Sequence, residues 1–314
     1  KARWCSAKSI TDRNIACQCS VAAEGLKAGP CYDPKNPGGG LRFLLVSDLH
    51  YALKQYDWTM AVAPDFDSVV IAGDHLDISN HVDGNVQVVV ILKSLRRLMD
   101  CTRIITSSGN HDLDSRDING EKAARWMSRV KQMGIACDGD SVALDDILVT
   151  VCPWWDGPNA KQAVEEQLAR DSAKPKKSWI WVYHAPPDGS PTSWDGKKYY
   201  GDAELTEWIA RYRPDIVFSG HIHQAPFIKD GSWADRIRAT WVFNCGNQIG
   251  PVPTHIIVDT DAREAVWISL AGVQSVNLDL PLQRPLEPLH QLPDWLTKSR
   301  DPGPSPAQSA DAAG

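Results

Sequence analysis

The chain has no apolar run approaching the ~20 residues that a membrane-spanning helix needs. Its start also lacks the charged-then-apolar pattern of a secretory leader. Both absences point to a cytoplasmic protein, a reading that extends only to the residues present, which open on Lys1 and not on Met. An excess of basic charge is missing too: 33 Lys and Arg stand against 39 Asp and Glu, leaving a net charge of -6. That balance supplies no electrostatic footprint for tight, non-specific binding of duplex nucleic acid, although a local basic patch remains compatible with it. No internal repeat is found. With 314 residues there is ample chain for one large domain and an appendage.

Cysteine is scarce in the body of the chain and concentrated at its start. Cys101, Cys137, Cys152 and Cys245 lie scattered in apolar surroundings, as buried free thiols do. Cys5, Cys17, Cys19 and Cys31 have the symmetric spacing C-x11-C-x-C-x11-C. Four thiolates could close a tetrahedral structural zinc site and so fold a segment too short for its own core. The C-x-C pair lacks the usual C-x2-C knuckle, and a loosely ordered arm is the alternative.

The run Asp33-Pro34-Lys35-Asn36-Pro37-Gly38-Gly39-Gly40 is a linker that neither helix nor strand would survive. Three regions follow from it: residues 1–40 as the cysteine-containing arm and linker, 41–270 as the main domain, and 271–314 as a Pro-rich tail, irregular and disordered toward its end. Within the main domain short apolar runs alternate with helical stretches, which predicts strand, helix, strand units and parallel pairing. Strands are expected at 41–46, 67–72, 103–106, 178–183, 215–218, 240–244, 255–259 and 264–269. A hairpin turning at Asp145-Asp146 is expected within 137–151. Helices are expected near 85–99, 120–133, 159–173 and 202–212, and 185–201, rich in Pro, Gly, Ser and aromatics, is the candidate lid.

Five of the apolar runs end in polar groups of one kind. They are Ser47-Asp48-Leu49-His50, Gly73-Asp74-His75-Leu76-Asp77, Ser108-Gly109-Asn110-His111-Asp112, Tyr183-His184 and Gly220-His221-Ile222-His223. Strand ends in open α/β proteins are where chemistry is placed. Asp48, His50, Asp74, Asn110, His184, His221 and His223 together supply oxygen and nitrogen donors and no thiolate. Such a set suits Mn, Fe or Zn better than Ca²⁺ or Cu(I). Seven donors exceed the needs of one ion and suit two, about 3.5–4 Å apart, sharing a carboxylate. Two such ions would keep net positive charge after two aspartates and a bridging hydroxide, and would attract a phosphate.

The ordered set D-x-H, G-D-x-x-D, G-N-H-D, H and G-H-x-H resembles that of the calcineurin-like metallophosphoesterase superfamily, and the resemblance covers about Leu41 to Leu270. It implies an α/β (α+β) fold, a four-layer αββα sandwich of two mixed β-sheets flanked by helices. It also implies a hydrolase acting on phosphate esters with two divalent metal ions. Carried over residue by residue, Asp48, His50 and His223 would hold the first ion, Asn110, His184 and His221 the second, and Asp74 would bridge them. His111 would face the substrate, protonating the leaving oxygen or steadying the phosphoryl charge. Asp77 would pair with His111 and keep it cationic.

The protein phosphatases of this superfamily follow the second block with Arg-Gly, whereas here Asp77 is followed by Ile78-Ser79. The arginine that binds a phosphomonoester dianion is therefore missing. The sequence favours a phosphodiesterase acting on a nucleotide or another small organic phosphate. A nuclease of the repair-exonuclease type and a phosphomonoesterase are the alternatives, and a non-catalytic scaffold is disfavoured because every expected ligand is present. His75, His81, His255 and His290 fall outside the metal pattern, with His75 and His81 nearest the rim. Trp154, Trp155, Trp194, Tyr199 and Tyr200 lie after strand ends, where they either stack on a base or pack lid against body. Arg116 has a phosphate-binding and a solvated reading, and Asp112 stands between an orienting role and that of an ordinary turn residue.

Overall fold

The computed structural model describes residues 40–297. The cluster of Cys5, Cys17, Cys19 and Cys31, with its zinc reading, and residues 298–314 lie outside the described part.

The first half of the domain runs β1 (Arg42–Val46), α1 (Leu53–Val62), β2 (Ser68–Ala72), α2 (Gly84–Met99), β3 (Arg103–Ser107). It continues through the short pair β4 (Ser115–Arg116) and β5 (Lys122–Ala123) to α3 (Met127–Gln132). The second half runs β6 (Ser141–Leu144), β7 (Ile147–Val151), α4 (Pro158–Ser172), β8 (Ser178–Val182), α5 (Ala203–Tyr212), β9 (Ile216–Ser219). After β10 (Ala234–Ile237) and β11 (Thr240–Asn244), the strands β12 (His255–Asp259), β13 (Glu264–Ser269) and β14 (Gly272–Asn277) return to the first sheet, and the short α6 (Asp294–Thr297) follows.

Two six-stranded sheets result, in the orders β14-β13-β12-β1-β2-β3 and β10-β11-β9-β8-β7-β6. In the first, β1, β2 and β3 are parallel and β12 to β14 antiparallel. In the second, β7, β8, β9 and β11 are parallel, with β6 and β10 as antiparallel edges. The layering follows from the two-residue period of a strand. Phe43 and Leu45 of β1 join Ile180 and Val182 of β8 and Phe218 of β9 between the sheets. The alternate residues Leu44 and Val46 face Ile91 and Leu95 of α2, while Trp179 and Trp181 face Leu168 of α4 and Trp208 of α5. Both faces of the inner strands are therefore covered, which is why their sequences are unbroken apolar runs. The four-layer αββα sandwich of two mixed sheets is the fold of this chain.

Several local expectations are corrected. The helix expected at 120–133 shrinks to α3, because Asn119-Gly120 turns a small hairpin, Gly120 taking φ 80°, and β4 pairs with β5. The chain is not irregular from 271: β14 adds a sixth strand to the first sheet, registering Val276 on Ala265 and Gln274 on Trp267. The candidate lid does not hang free. Ser190, Thr192 and Ser193 are buried, Asn244 donates to the Thr192 carbonyl (2.9 Å), and Ser190 donates to Asp235 (2.7 Å). Cys101, Cys137, Cys152 and Cys245 are free thiols, the last three buried, as expected. No helix among the described residues is long and apolar enough to cross a membrane.

His255, outside the metal pattern, is buried on β12 against Trp58 (4.6 Å between ring centroids), with Nδ1 on the Pro253 carbonyl (2.9 Å). Burial pushes its pKa down to about 4 against the small upward pull of that carbonyl. An unfolded histidine titrates near 6.5, so the folded state binds the proton less readily than the unfolded one. The stability at stake is whole above about pH 6.5 and drains as pH falls toward 4, by about 1.4 kcal/mol per unit. Urea unfolding at pH 7.5 and pH 5.0 should show the wild type losing about 2 kcal/mol more than His255→Asn over that interval. Equal losses would show that this histidine is not held neutral.

Candidate metal centre

At the end of β1 the chain leaves the sheet through left-handed residues, Asp48 (φ 54°), His50 (φ 40°) and Tyr51 (φ 58°). It stays stitched to the turn after the neighbouring β2: Asp48 N–H donates to Gly73 O (3.2 Å), His50 N–H to Asp74 O (3.0 Å) and Tyr51 N–H to His75 O (2.8 Å). Asp74 is itself left-handed (φ 54°), as is His221 (φ 70°) after β9. Non-glycine residues rarely occupy this region, and they do so where the surroundings over-determine them, often at functional sites.

The side chains converge. His223 Nε2 lies 3.2 Å from Asp48 Oδ1 and 3.0 Å from His50 Nε2. His184 Nε2 lies 3.1 Å from Asp74 Oδ2 and 3.8 Å from Asp48 Oδ1, and His50 Nε2 is 3.8 Å from Asp74 Oδ2. Two donors on one ion with bonds of about 2.0–2.1 Å can be no more than about 4.2 Å apart. The Asp48–His50–His223 and Asp74–His184–His221 groups bring their ligating atoms within 4.8 Å of one another, and the individual separations just given fall inside the stricter bound. The first group is the set expected for one ion, the second joins the expected bridge Asp74 to His184 and His221, and the donor set is that of a centre for two divalent cations.

Two further observations fit metal. Asn110 Oδ1 is buried and makes no hydrogen bond among the described residues, although such buried polar atoms are almost always satisfied. His184 Nδ1 donates to the Ala72 carbonyl (2.7 Å), and His50 Nδ1 faces the Leu76 carbonyl (3.2 Å). Those carbonyls fix the tautomer that leaves Nε2 with a lone pair for an ion.

The glycines of the motifs make room for this convergence. A Cβ on Gly109 would lie 2.2 Å from Asp74 Oδ1, and one on Gly220 would lie 2.4 Å from Asp48 Oδ2. Both carboxylates are anchored from behind. Asp48 accepts His221 N–H (3.0 and 3.1 Å) and the Ser47 hydroxyl, while Asp74 Oδ1 accepts His111 N–H (2.9 Å).

The electrostatics follow. Burial pushes the Asp48 carboxyl up, but a hydrogen bond from His223 and the charges of His184, His223 and His50 hold it well below the usual carboxylate range. Asp74 is likewise lowered, burial being outweighed by His184 and His111 against the repulsion of Asp48. Burial works against the His184 cation, yet Asp74 and Asp48 raise its pKa to about 9. Burial and the His184 charge bring His221 down to about 4. The pocket thus favours positive charge between Asp48 and Asp74.

His111 reaches the same place, and with His50 and Asp74 it forms a third group whose ligating atoms lie within 4.8 Å of one another, although the sequence reading gave it no metal. Its Nε2 is 3.9 Å from Asp74 Oδ2, its ring meets the His50 ring edge-on (4.6 Å), and its Nδ1 is buried and unpartnered. The expected pairing with Asp77 is not formed. Asp77 accepts from Ser79 N–H (2.8 Å) and from Asn80 (3.3 Å), closing its own turn. Without it, burial holds the pKa of His111 below the ordinary value, Asp74 opposing and His50, His184 and His223 assisting. His111 is therefore not kept cationic.

Asp112 proves to be a strut. Fully buried, it accepts from His75 N–H, Leu76 N–H and Gly109 N–H (2.8–3.0 Å), tying the second block to the third, and burial with the Asp74 charge raises its pKa. His75 is in the core and not at the rim, between Tyr56 OH (2.8 Å) and Thr106 Oγ1 (2.7 Å). His81 is exposed, and Arg116 turns its guanidinium to the Gly120 carbonyl in the β4–β5 hairpin. Asn247, unread in the sequence, donates to the Asp48 carbonyl (2.6 Å) and so supports a left-handed ligand residue. Its only sequence signal is its place shortly after the end of an apolar run, Asn247 following β11.

Residues 41–225 match the calcineurin-like phosphoesterase family. No curated protein matches the chain. Among solved structures, it is similar to TT1561 of Thermus thermophilus, with 14% identity, TM-score 0.49, 76% of this chain covered and 99% of that one. A dimetal phosphatase from Danio rerio shows 12% identity and TM-score 0.47, with 73% and 95% covered. Yfce, a phosphoesterase from E. coli, shows 13% identity and TM-score 0.38, with 76% and 100% covered.

Proposed function

The chain belongs to the calcineurin-like phosphoesterase family, and from that premise we propose that it is a phosphodiesterase acting on a nucleotide or another small organic phosphate. The broader activity, metal-dependent hydrolysis of phosphate esters at a two-ion centre, rests on the family and on the paired Asp and His clusters. The preference for a diester is supported by one observation. The strongest charges acting on Asp48, Asp74, His111, His184, His221 and His223 are those of one another and of His50, with no lysine or arginine among them. Ile78, directly after Asp77, is 71% exposed and offers no charge either. A monoester dianion would call for such a cation, whereas a diester carries one charge less.

When bound, the two ions polarise the phosphoryl group and bring the pKa of water down toward about 7. Asp48, His50 and His223 would hold one ion, Asn110, His184 and His221 the other, with Asp74 shared. His111, tied through its backbone N–H to Asp74, keeps its imidazole Nε2 3.9 Å from the Asp74 Oδ2 beside which a substrate would sit. There it donates a hydrogen bond to the leaving or a non-bridging oxygen.

The test compares Mn²⁺-loaded protein on bis-p-nitrophenyl phosphate, thymidine 5′-p-nitrophenyl phosphate and p-nitrophenyl phosphate. The diesters should be turned over with at least about tenfold higher kcat/KM, an expected transition-state difference of about 1.4 kcal/mol. Preference for the monoester would overturn the diester reading, and inertness toward all three would remove the enzyme reading. A single-stranded oligonucleotide in the same panel tests the exonuclease alternative.

A further inference from the structure

Of the aromatic residues that follow strand ends, one touches the metal centre. Trp154, after β7, has its ring centroid 5.7 Å from that of His184 and 5.2 Å from that of His221. Tyr183 stacks beneath it at 6.3 Å and 21°, and the Trp154 backbone N–H is held by Ser108 Oγ (3.0 Å), within the third block. The ring is half-buried, and its indole N–H makes no hydrogen bond among the described residues.

Its neighbours are committed elsewhere. Trp155 donates its indole N–H to Asp202 (3.0 Å) and carries Lys161 over its ring, while Trp194 donates to the Lys229 carbonyl (3.1 Å) and packs on Tyr199 (5.0 Å). Tyr200 lies under the Lys198 ammonium (4.0 Å).

We infer that Trp154 walls the substrate cleft on the His184–His221 side and stacks against a flat aromatic substituent of the phosphoester, a nucleobase. The inference rests on the small-phosphoester reading above and sharpens it. Trp155 and Trp194 commit their indole donors to the protein, whereas Trp154 stays half-exposed with its ring against His184 and His221. An indole already braced on Tyr183 and Ser108 loses little freedom on stacking, so the contact is pre-organised. Base stacking on an aromatic side chain tolerates any base, because every base has a π face. Trp154 therefore selects for a nucleotide over a plain phosphate without selecting among bases.

The experiment is calorimetric and independent of turnover. Adenosine monophosphate and inorganic phosphate are titrated separately into Mn²⁺-loaded wild type, Trp154→Leu and Trp154→Phe, with bound metal measured in each. Wild type should bind the nucleotide at least about tenfold more tightly than phosphate, within the range that stacking one base supplies. Trp154→Leu, which retains apolar volume but no π face, should erase that margin while leaving phosphate affinity and metal content unchanged, and Trp154→Phe should keep most of it. The inference is overturned if wild type shows no margin, if the margin survives in Trp154→Leu, or if nucleotide, phosphate and metal all weaken together, the mark of a role exerted through His184 and His221. The diester assay can fail while this margin stands, so the two readings are separable.

Discussion

Asp74→Asn should release both ions and lower kcat/KM by more than the roughly hundredfold that loss of a mere supporting partner costs. The substitution is nearly isosteric and keeps Oδ1, so the hydrogen bond from His111 N–H (2.9 Å) survives and the turn after β2 can hold its shape. What disappears is the charge at Oδ2, the atom that lies 3.1 Å from His184 and 3.8 Å from His50, one ligand from each metal half. An amide there leaves Asp48 as the sole carboxylate among the donors, with four imidazoles and no bridge. Elemental analysis after gel filtration, alongside kcat/KM on a diester, reads the outcome. Two ions retained with near-wild-type turnover would mean that the halves do not share this residue.

His111→Ala should do the opposite with metal, keeping both ions, and should lower kcat by about 10²–10⁴-fold, the usual range for a positioned proton donor. The dependence on leaving group separates its two possible roles. p-Nitrophenolate departs without a proton, so a donor to the leaving oxygen matters little there and much for a nucleoside or alkyl leaving group. A group that steadies the non-bridging oxygens would be missed equally by both substrates. A small loss with p-nitrophenyl esters and a large one with alkyl esters assigns the proton to the leaving oxygen; parallel losses assign the hydrogen bond to the phosphoryl group. Loss of metal in this variant would contradict the role altogether. Asp77 closes its own turn, so it does not supply the charge that would hold the His111 ring cationic.

The parts of the fold legible in residue order are those whose burial leaves a mark on sequence. Inner strands such as β2 and β8 are covered on both faces and read as apolar runs, and their polar endings reveal the donor set. Elements with mixed faces are silent. Helix α1 buries Gln55, Tyr56, Thr59 and Val62 and has no side-chain cap, so it shows neither an apolar stripe nor a start signal. Strand β10 carries Asp235 and Arg236: Asp235 is met by Ser190 and Arg284, both far away in the chain, and Arg236 by the Trp241 ring on β11. Strand β14 is a half-exposed edge with Gln274 and Ser275 inside it. The Asn119-Gly120 pair is a turn signal that a longer helical pattern masks. At the site, candidate ligands are legible because metal chemistry restricts residue type; the strut Asp112 and the support Asn247 act through geometry, which has no spelling.

The left-handed turns at Asp48, His50, Asp74 and His221 set durability against chemistry. Each costs roughly 1–3 kcal/mol relative to a relaxed residue, and glycine would remove that cost at every one of them. Glycine, however, carries no donor. Selection for thermal robustness would therefore erode the ligands first, and a descendant that hardened in this way would keep the sandwich and lose the hydrolase.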